Sequence, residues 1–466
     1  MVKTDIGIKR RIIIKLIVPF AVLSLLLLIN ITSCDLLDFQ TGLEGKISEE
    51  EAEIGEGGLE SKDMVTTHII LWDYIKPRER TALINSVENF MAENDHISIE
   101  TRHFRNREEL EDRFEAASLA RSGPELLLMD FDGVQRLAPG NVLKEITGEE
   151  DGFDYSSMLN GLVEISEYNS KKYIIPFRSL DFLVFLYNGD LINEPPQSFE
   201  EVIEYCRKVN DFTQQTYGFL MDASEPDWII PFIGGYSGWI VDYNSNSLAL
   251  DIEAVEKTLE FLIYIYNEEK ILPSGIEYGE ISDLFKSGNA HMIIDNVNSI
   301  EEYQEEGLNV GVSKIPLTFQ GDEYPTPLIS GLGFMINVNC YGNELEALNE
   351  FITYMLTEEV QLDWTSATQT LPVLKRLDNN VTIRNNDIVY GAFQQAKLCR
   401  GKPYEKLIMV IRDAIRDNVR NVISGDILPA DAALKIQEDA LRLRSEEISI
   451  EEADEAAGAE ESGESE

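Results

Sequence analysis

From residue 66 onward, apolar positions switch between two periods. His68-Ile69-Ile70-Leu71-Trp72 is a short β-type run. Apolar residues then fall at helical spacing over Arg80 to Asn94, at Leu83, Ile84, Val87, Phe90 and Met91. Ile97 to Thr101 alternates as a strand does, and Arg107 to Arg121 reads as a second helix, broken by Ser122-Gly123-Pro124. Glu125 to Met129 is an apolar run bounded by turns, the pattern of a buried parallel strand. Strand, helix, strand, helix, strand predicts a doubly wound α/β layer. Ligands of such sheets sit beyond the carboxyl ends of the strands. Those ends are Trp72-Asp73-Tyr74 and Asp130-Phe131-Asp132.

The second half carries more helix. Ser198 to Lys208 opens with the capping-box pair Ser198 and Glu201. Ile252 to Glu268 and Tyr404 to Ser424 are long amphipathic stretches, and a last helix is predicted over Pro429 to Arg444. No internal repeat of solenoid length is present.

The N-terminus changes the compartment. Lys9, Arg10, Arg11 and Lys15 precede Leu16 to Ile29, which is apolar apart from Ser24. Fourteen residues fall short of the roughly 20 that a spanning helix needs, so the run fits a secretory signal peptide. It closes on Ile31-Thr32-Ser33-Cys34, which resembles a bacterial lipobox and implies cleavage before an acylated Cys34. Asp35 to Lys62, rich in Glu, Gly and Ser, reads as a flexible tether, and Glu446 to Glu466, with ten acids and no base, as a solvated tail.

Removing the signal region leaves 34 basic and 83 acidic residues, a net charge of −49. That balance opposes nucleic-acid binding, which depends on phosphate neutralisation. Cys206, Cys340 and Cys399 are too few and too scattered for a disulfide framework, and no Cys/His spacing suggests a metal. No nucleophile elbow or P-loop occurs, so no enzyme, metal or cofactor is expected.

Several stretches together resemble the extracellular solute-binding proteins of the maltose-binding type. They are Gly123-Pro124-Glu125-Leu126-Leu127 with Val142 to Ile146, Tyr173 to Phe177 with Leu186 to Leu191, and Pro195-Pro196-Gln197-Ser198-Phe199-Glu200-Glu201. Tyr217-Gly218-Phe219, Phe285 to Met292, Gly331 to Ile336, Leu371-Pro372-Val373 and Arg416 to Gly425 follow in the same order. The resemblance covers roughly Thr66 to Arg444. It implies an α/β, periplasmic-binding-protein-like two-lobe clamshell with doubly wound sheets and a helical C-terminal part. It further implies capture of a carbohydrate or similar polar solute by hinge closure and delivery to an ABC permease, by a monomer held at the bacterial membrane through its N-terminal lipid. A solute sensor, or a family member binding a protein partner, is the alternative. The implied organisation is a signal peptide over 1–33 and a tether over 34–63. Lobe 1 takes 64–180 and 290–327, and lobe 2 takes 181–289 and 328–375. Helices over 376–445 pack across the lobes, and the acidic tail covers 446–466. Chain crossings are expected near Arg178 to Leu183, Gly288 to Ala290 and Thr326 to Ser330.

Sugars call for carboxylates that accept from hydroxyls and for flat rings that cover C–H faces. The candidates are Trp72, Asp73, Tyr74, Asp130 and Asp132 at strand ends, and Arg178 and Asp181 at the first crossing. Glu225, Asp227, Trp228 and Tyr236 join them, with Asn296, Asn298, Ser330, Gly331 and Arg412. The maltose-type proteins carry stacking tryptophans at three places; Met129 and Asn298 stand at two of these and Arg412 near the third. A more polar cleft and a short solute are expected.

Overall fold

The computed structural model describes residues 66–147, 151–273 and 275–463. The expected signal peptide, Cys34 and tether lie outside them. Thr67–Asp73 (β1), Ile97–His103 (β2) and Leu126–Asp130 (β3) lie parallel, with β1 between the other two. Leu126, Leu127, Leu128 and Met129 are all fully buried, so β3 is covered on both faces, as its unbroken apolar run predicts. A small hairpin follows, Glu167–Tyr168 (β4) with Lys171–Lys172 (β5).

Ile175–Leu180 (β6) is the last strand of the first sheet before the chain crosses, and Leu183–Asn188 (β7) is the first of the second. The crossing falls on Asp181 and Phe182. Asp181 takes φ +54°, a left-handed conformation that Asp tolerates better than most residues. In the second lobe, Val241–Asp242 (β8) and Ser247–Leu248 (β9) form a hairpin. Met292–Asn296 (β10) and Val310–Ser313 (β11) flank β7 in antiparallel pairing. The chain then returns to the first sheet as Leu328–Ile336 (β12), between β3 and β6, with Leu371–Pro372 (β13) and Arg400–Gly401 (β14) as short additions.

These pairings correct the expected division. Residues 290–327 do not belong with the first lobe, because β10 and β11 hydrogen-bond to β7. Residues 328–375 do not belong with the second, because β12 and β13 extend the first sheet and helix Asn343–Met355 packs on β1. No crossing occurs at 288–290. Tyr217 and Leu220 bridge Ala290 and Ile293 within the second lobe. Strand order is a long-range property, and the local apolar pattern of β10 is the same whichever sheet takes it.

The cores are aromatic. Phe177 meets Trp364 edge-on at 4.8 Å in the first lobe. In the second, Phe199 lies 5.0–5.7 Å from Phe219, Phe232 and Phe261. Helix Asp387–Ala396 packs on β11 and reaches β13, but helices Glu405–Ser424 and Pro429–Gly463 pack on each other and on second-lobe helices rather than across both lobes. The last helix runs on to Gly463, so the acidic stretch expected to be an open tail continues the helix. Glu and Ala, which dominate it, are strong helix formers. Cys206, Cys340 and Cys399 are buried and free.

Candidate functional site

β1 and β3 place their ends side by side, and their polar residues divide by environment. Asp73 is fully buried. Its carboxylate accepts from Arg80 and lies 2.6 Å from His103 Nδ1, so it braces the first sheet. Trp72 is 8% exposed, lies 4.8 Å from the Phe104 ring and carries the Arg102 guanidinium over its face at 5.2 Å. Both were expected in the cleft, and both belong to the framework. β1 is an inner strand with helix Asn343–Met355 packed on it, so a strand-end position alone does not make a residue accessible.

Tyr74, Asp130 and Asp132 do come together. The Tyr74 hydroxyl donates to Asp130 Oδ2. Arg107 Nη1 lies 3.5 Å from Asp130 and 3.2 Å from Asp132, and Lys402 Nζ lies 3.8 Å from Asp132. Burial, then the adjacent Asp132 charge, push the Asp130 carboxyl up to about 7. Asp132 also begins helix Asp132–Leu137, which fixes its direction.

Arg178 is not a ligand residue. It is fully buried and donates to Thr365 Oγ1 at 2.7 Å, Thr370 Oγ1 at 3.0 Å, the Gln361 carbonyl at 3.2 Å and the Thr370 carbonyl. It ties β6 to the end of helix Glu358–Thr368, and burial pulls its guanidinium down to about 9. Asp181 does not pair with it; Asp181 Oδ1 accepts from Asn296 Nδ2 at 2.8 Å across the crossing.

On the second lobe, Asp227 and Arg412 form a two-point ion pair at 2.8 and 2.6 Å. Asp181 adds a small share to the negative field on Arg412, after Asp227 and Glu405. Glu225 reaches Arg416 at 3.4 Å. Trp228 is half-buried, donates from Nε1 to the Ile294 carbonyl at 2.7 Å, and its ring faces Tyr278 at 5.7 Å. Asn298 stays exposed at the end of β10.

Three expected residues are engaged elsewhere. The Tyr236 hydroxyl donates to the Phe319 carbonyl at 2.9 Å inside the second lobe. Ser330 and Gly331 sit within the β12–β6 ladder, opposite Leu180 and Ser179. A Cβ on Gly331 would lie 2.1 Å from the Arg178 carbonyl oxygen, so glycine serves close strand packing there.

Among the described residues, two cavities are lined by side chains of both lobes. The smaller, about 80 Å³, has Asp132 and Glu164 on one side, Tyr243 on the other, and Lys402 and Tyr404 on the connecting segment. The larger, about 330 Å³, has Lys76, Glu79 and Ser179 facing Asn298 and Glu301. Sequence reasoning missed Arg107, Lys402 and Tyr243. Arg107 opens the helix that follows β2, beyond the intervening Phe104, Arg105 and Asn106, so the strand-end rule that selected Asp130 stops just short of it. Lys402 and Tyr243 lie on connecting segments with no distinguishing local pattern.

A family model described as bacterial extracellular solute-binding protein matches residues 85–389. The chain is 24% identical over 365 residues to the maltotriose-binding protein of Pyrococcus abyssi, covering 76% of this chain and 75% of that one. It is 22% identical to a maltooligosaccharide ABC transporter solute-binding lipoprotein of Streptococcus pneumoniae, over 65% of this chain and 72% of the other. Among solved structures, a maltose/maltodextrin-binding domain from Bdellovibrio bacteriovorus bound to maltotriose superposes with a TM-score of 0.57 at 25% identity, covering 81% of this chain and 99% of that one.

Proposed function

The chain belongs to the bacterial extracellular solute-binding protein family, and from that membership we propose that it captures a short carbohydrate between its lobes for an ABC importer. The observation that carries this reading is that polar side chains of both lobes line both cavities, the larger of which reaches Leu180 beside the Asp181–Phe182 crossing. The Tyr74, Asp130 and Asp132 cluster supplies acceptors from the first lobe, held in place by Arg107 and Lys402. Asp227, Arg412 and the Trp228 ring supply donors, acceptors and one flat face from the second.

A solute touching both walls favours the closed arrangement by its differential affinity for that state. The closed pair of lobe faces is then what a permease recognises. Ile31-Thr32-Ser33-Cys34 supports an anchor of acyl chains on Cys34, and the lipoprotein among the relatives is consistent with it. The sugar names of the relatives direct the first test. Calorimetric titration with maltotriose should give saturable binding that Asp132→Ala weakens at least about tenfold. Absence of binding by maltotriose and by other short oligosaccharides would reject the sugar reading.

A further inference from the structure

Three exposed apolar side chains meet at one end of the first lobe. Leu119 closes helix Arg107–Leu119 and is 70% exposed, while Val338 and Tyr341, in the turn after β12, are 41% and 66% exposed. Side-chain amides clasp that turn to the helix end. Asn339 Nδ2 donates to the Ser118 carbonyl at 2.8 Å, and Asn337 Nδ2 donates to Ser118 Oγ at 2.9 Å. The three are therefore fixed beside one another. A single exposed apolar residue needs no explanation, but a fixed group of three in a turn region, where polar residues are the rule, points to something that covers it.

Where the chain enters says what that is. Thr66 is the first described residue, and β1 starts at Thr67. β1 runs parallel to β3 with Leu71 opposite Leu126, so Thr67 projects beyond the start of β3. Ile336 also pairs with Leu126, so Val338 and Tyr341 lie beyond that same end. The entering chain and the apolar group share one end of the sheet, and the Asp130 and Asp132 cluster lies at the other. The expected tether, Asp35 to Val65, lies outside the described residues; as a coil its 31 residues reach roughly 30 Å. An acyl chain on Cys34 holds this end of the sheet within that reach of a bilayer. Tethering raises the effective concentration to about the millimolar range, so a contact too weak for a free protein suffices.

The flanking charges suit lipid headgroups. Arg121 and Lys144 stand beside the turn, their backbone N–H groups donating to the Ser118 carbonyl at 3.0 Å and the Ile336 carbonyl at 2.8 Å. Long basic side chains at an interface reach phosphate while their stems stay on apolar surface. Glu125 turns inward, accepting from the Ile70 N–H at 2.7 Å. Glu344, exposed just past Tyr341, and the net charge of −45 oppose an anionic surface, so a zwitterionic one fits. We propose that Leu119, Val338 and Tyr341 rest in the headgroup layer of the lipid surface that carries the Cys34 acyl chains, so that the first lobe docks by the end remote from its cleft. This rests on the acyl anchor of the proposed function.

The full chain, produced in a bacterial host with its own N-terminus and reconstituted on phosphatidylcholine vesicles containing a nitroxide-labelled lipid, tests it. The tryptophan added by Tyr341→Trp should be quenched at least about threefold more than the one added by Phe212→Trp, an exposed position on the second lobe. Leu119→Glu in the Tyr341→Trp background should remove the excess and leave the urea midpoint unchanged, and added salt should not remove it. A chain that does not float with the vesicles overturns the anchor and the docking together. A chain that floats but shows equal quenching at the two positions overturns the docking alone. Self-association of the native chain that Leu119→Glu abolishes would assign the patch to a second copy and overturn the lipid contact.

Discussion

Asp130 provides a sharp test of the first-lobe cluster, because its carboxyl is held protonated far above the ordinary aspartate range. Burial and the Asp132 charge raise it from 3.8 to about 7. An acid raised in this way makes the native state bind more protons than the unfolded chain between those two values. Stability from this group is therefore full at acid pH and falls as pH rises toward 7. The limiting slope is about 1.4 kcal/mol per pH unit, giving a ceiling of roughly 4 kcal/mol across the window. The side chain keeps 23% exposure and Arg107 lies 3.5 Å away, so about 2 kcal/mol is the working expectation. Asp130→Asn has no proton to lose at this site. The stability difference, variant minus native, should climb with pH by about 2 kcal/mol between roughly pH 4.5 and 7.5, read from urea unfolding without solute. Subtracting the two curves cancels the many other carboxylates. A difference that stays flat across the window would refute the placement of Asp130 in a desolvated pair with Asp132.

Other consequences are independent of that one. Arg178→Met leaves the Gln361 and Thr370 carbonyls without their buried donor and should lower the unfolding free energy by roughly 2–4 kcal/mol at an unchanged denaturant slope. Arg412→Ala removes the two-point partner of Asp227; on the proposed reading titration should show weaker solute binding, while stability moves by no more than about 1 kcal/mol, as for a partly exposed ion pair. Burial pushes the Cys206 and Cys340 thiols up to about 12 and Cys399 well above its ordinary value. All three should resist a thiol reagent at neutral pH in the native protein and react promptly in denaturant.

Much of the fold was legible because β1 and β3 are short apolar runs bounded by turns and the helix Pro77–Glu93 carries apolar residues at helical spacing. The crossing at Asp181–Phe182 was also marked, since two apolar strands flank it closely. What could not be read was partnership. β10 and β12 look alike as local apolar runs, and only hydrogen bonding to β7 or to β3 separates them. The same limit applies at the site. Asp73 and Asp130 are both aspartates ending inner strands, yet Arg80 and His103 lock the first into the framework while the second faces Tyr74 and Arg107. Arg178 reads as a cleft cation, but the groups that claim it come from about 190 residues further along the chain, at Thr365 and Thr370.

The central claim is that solute draws two lobes together around itself. Small-angle scattering of the purified chain, with and without saturating maltotriose, addresses it directly. A smaller radius of gyration with the sugar, and no such change in Asp132→Ala at the same concentration, is the predicted result. An unchanged radius at a sugar concentration that calorimetry shows to be saturating would contradict capture by closure.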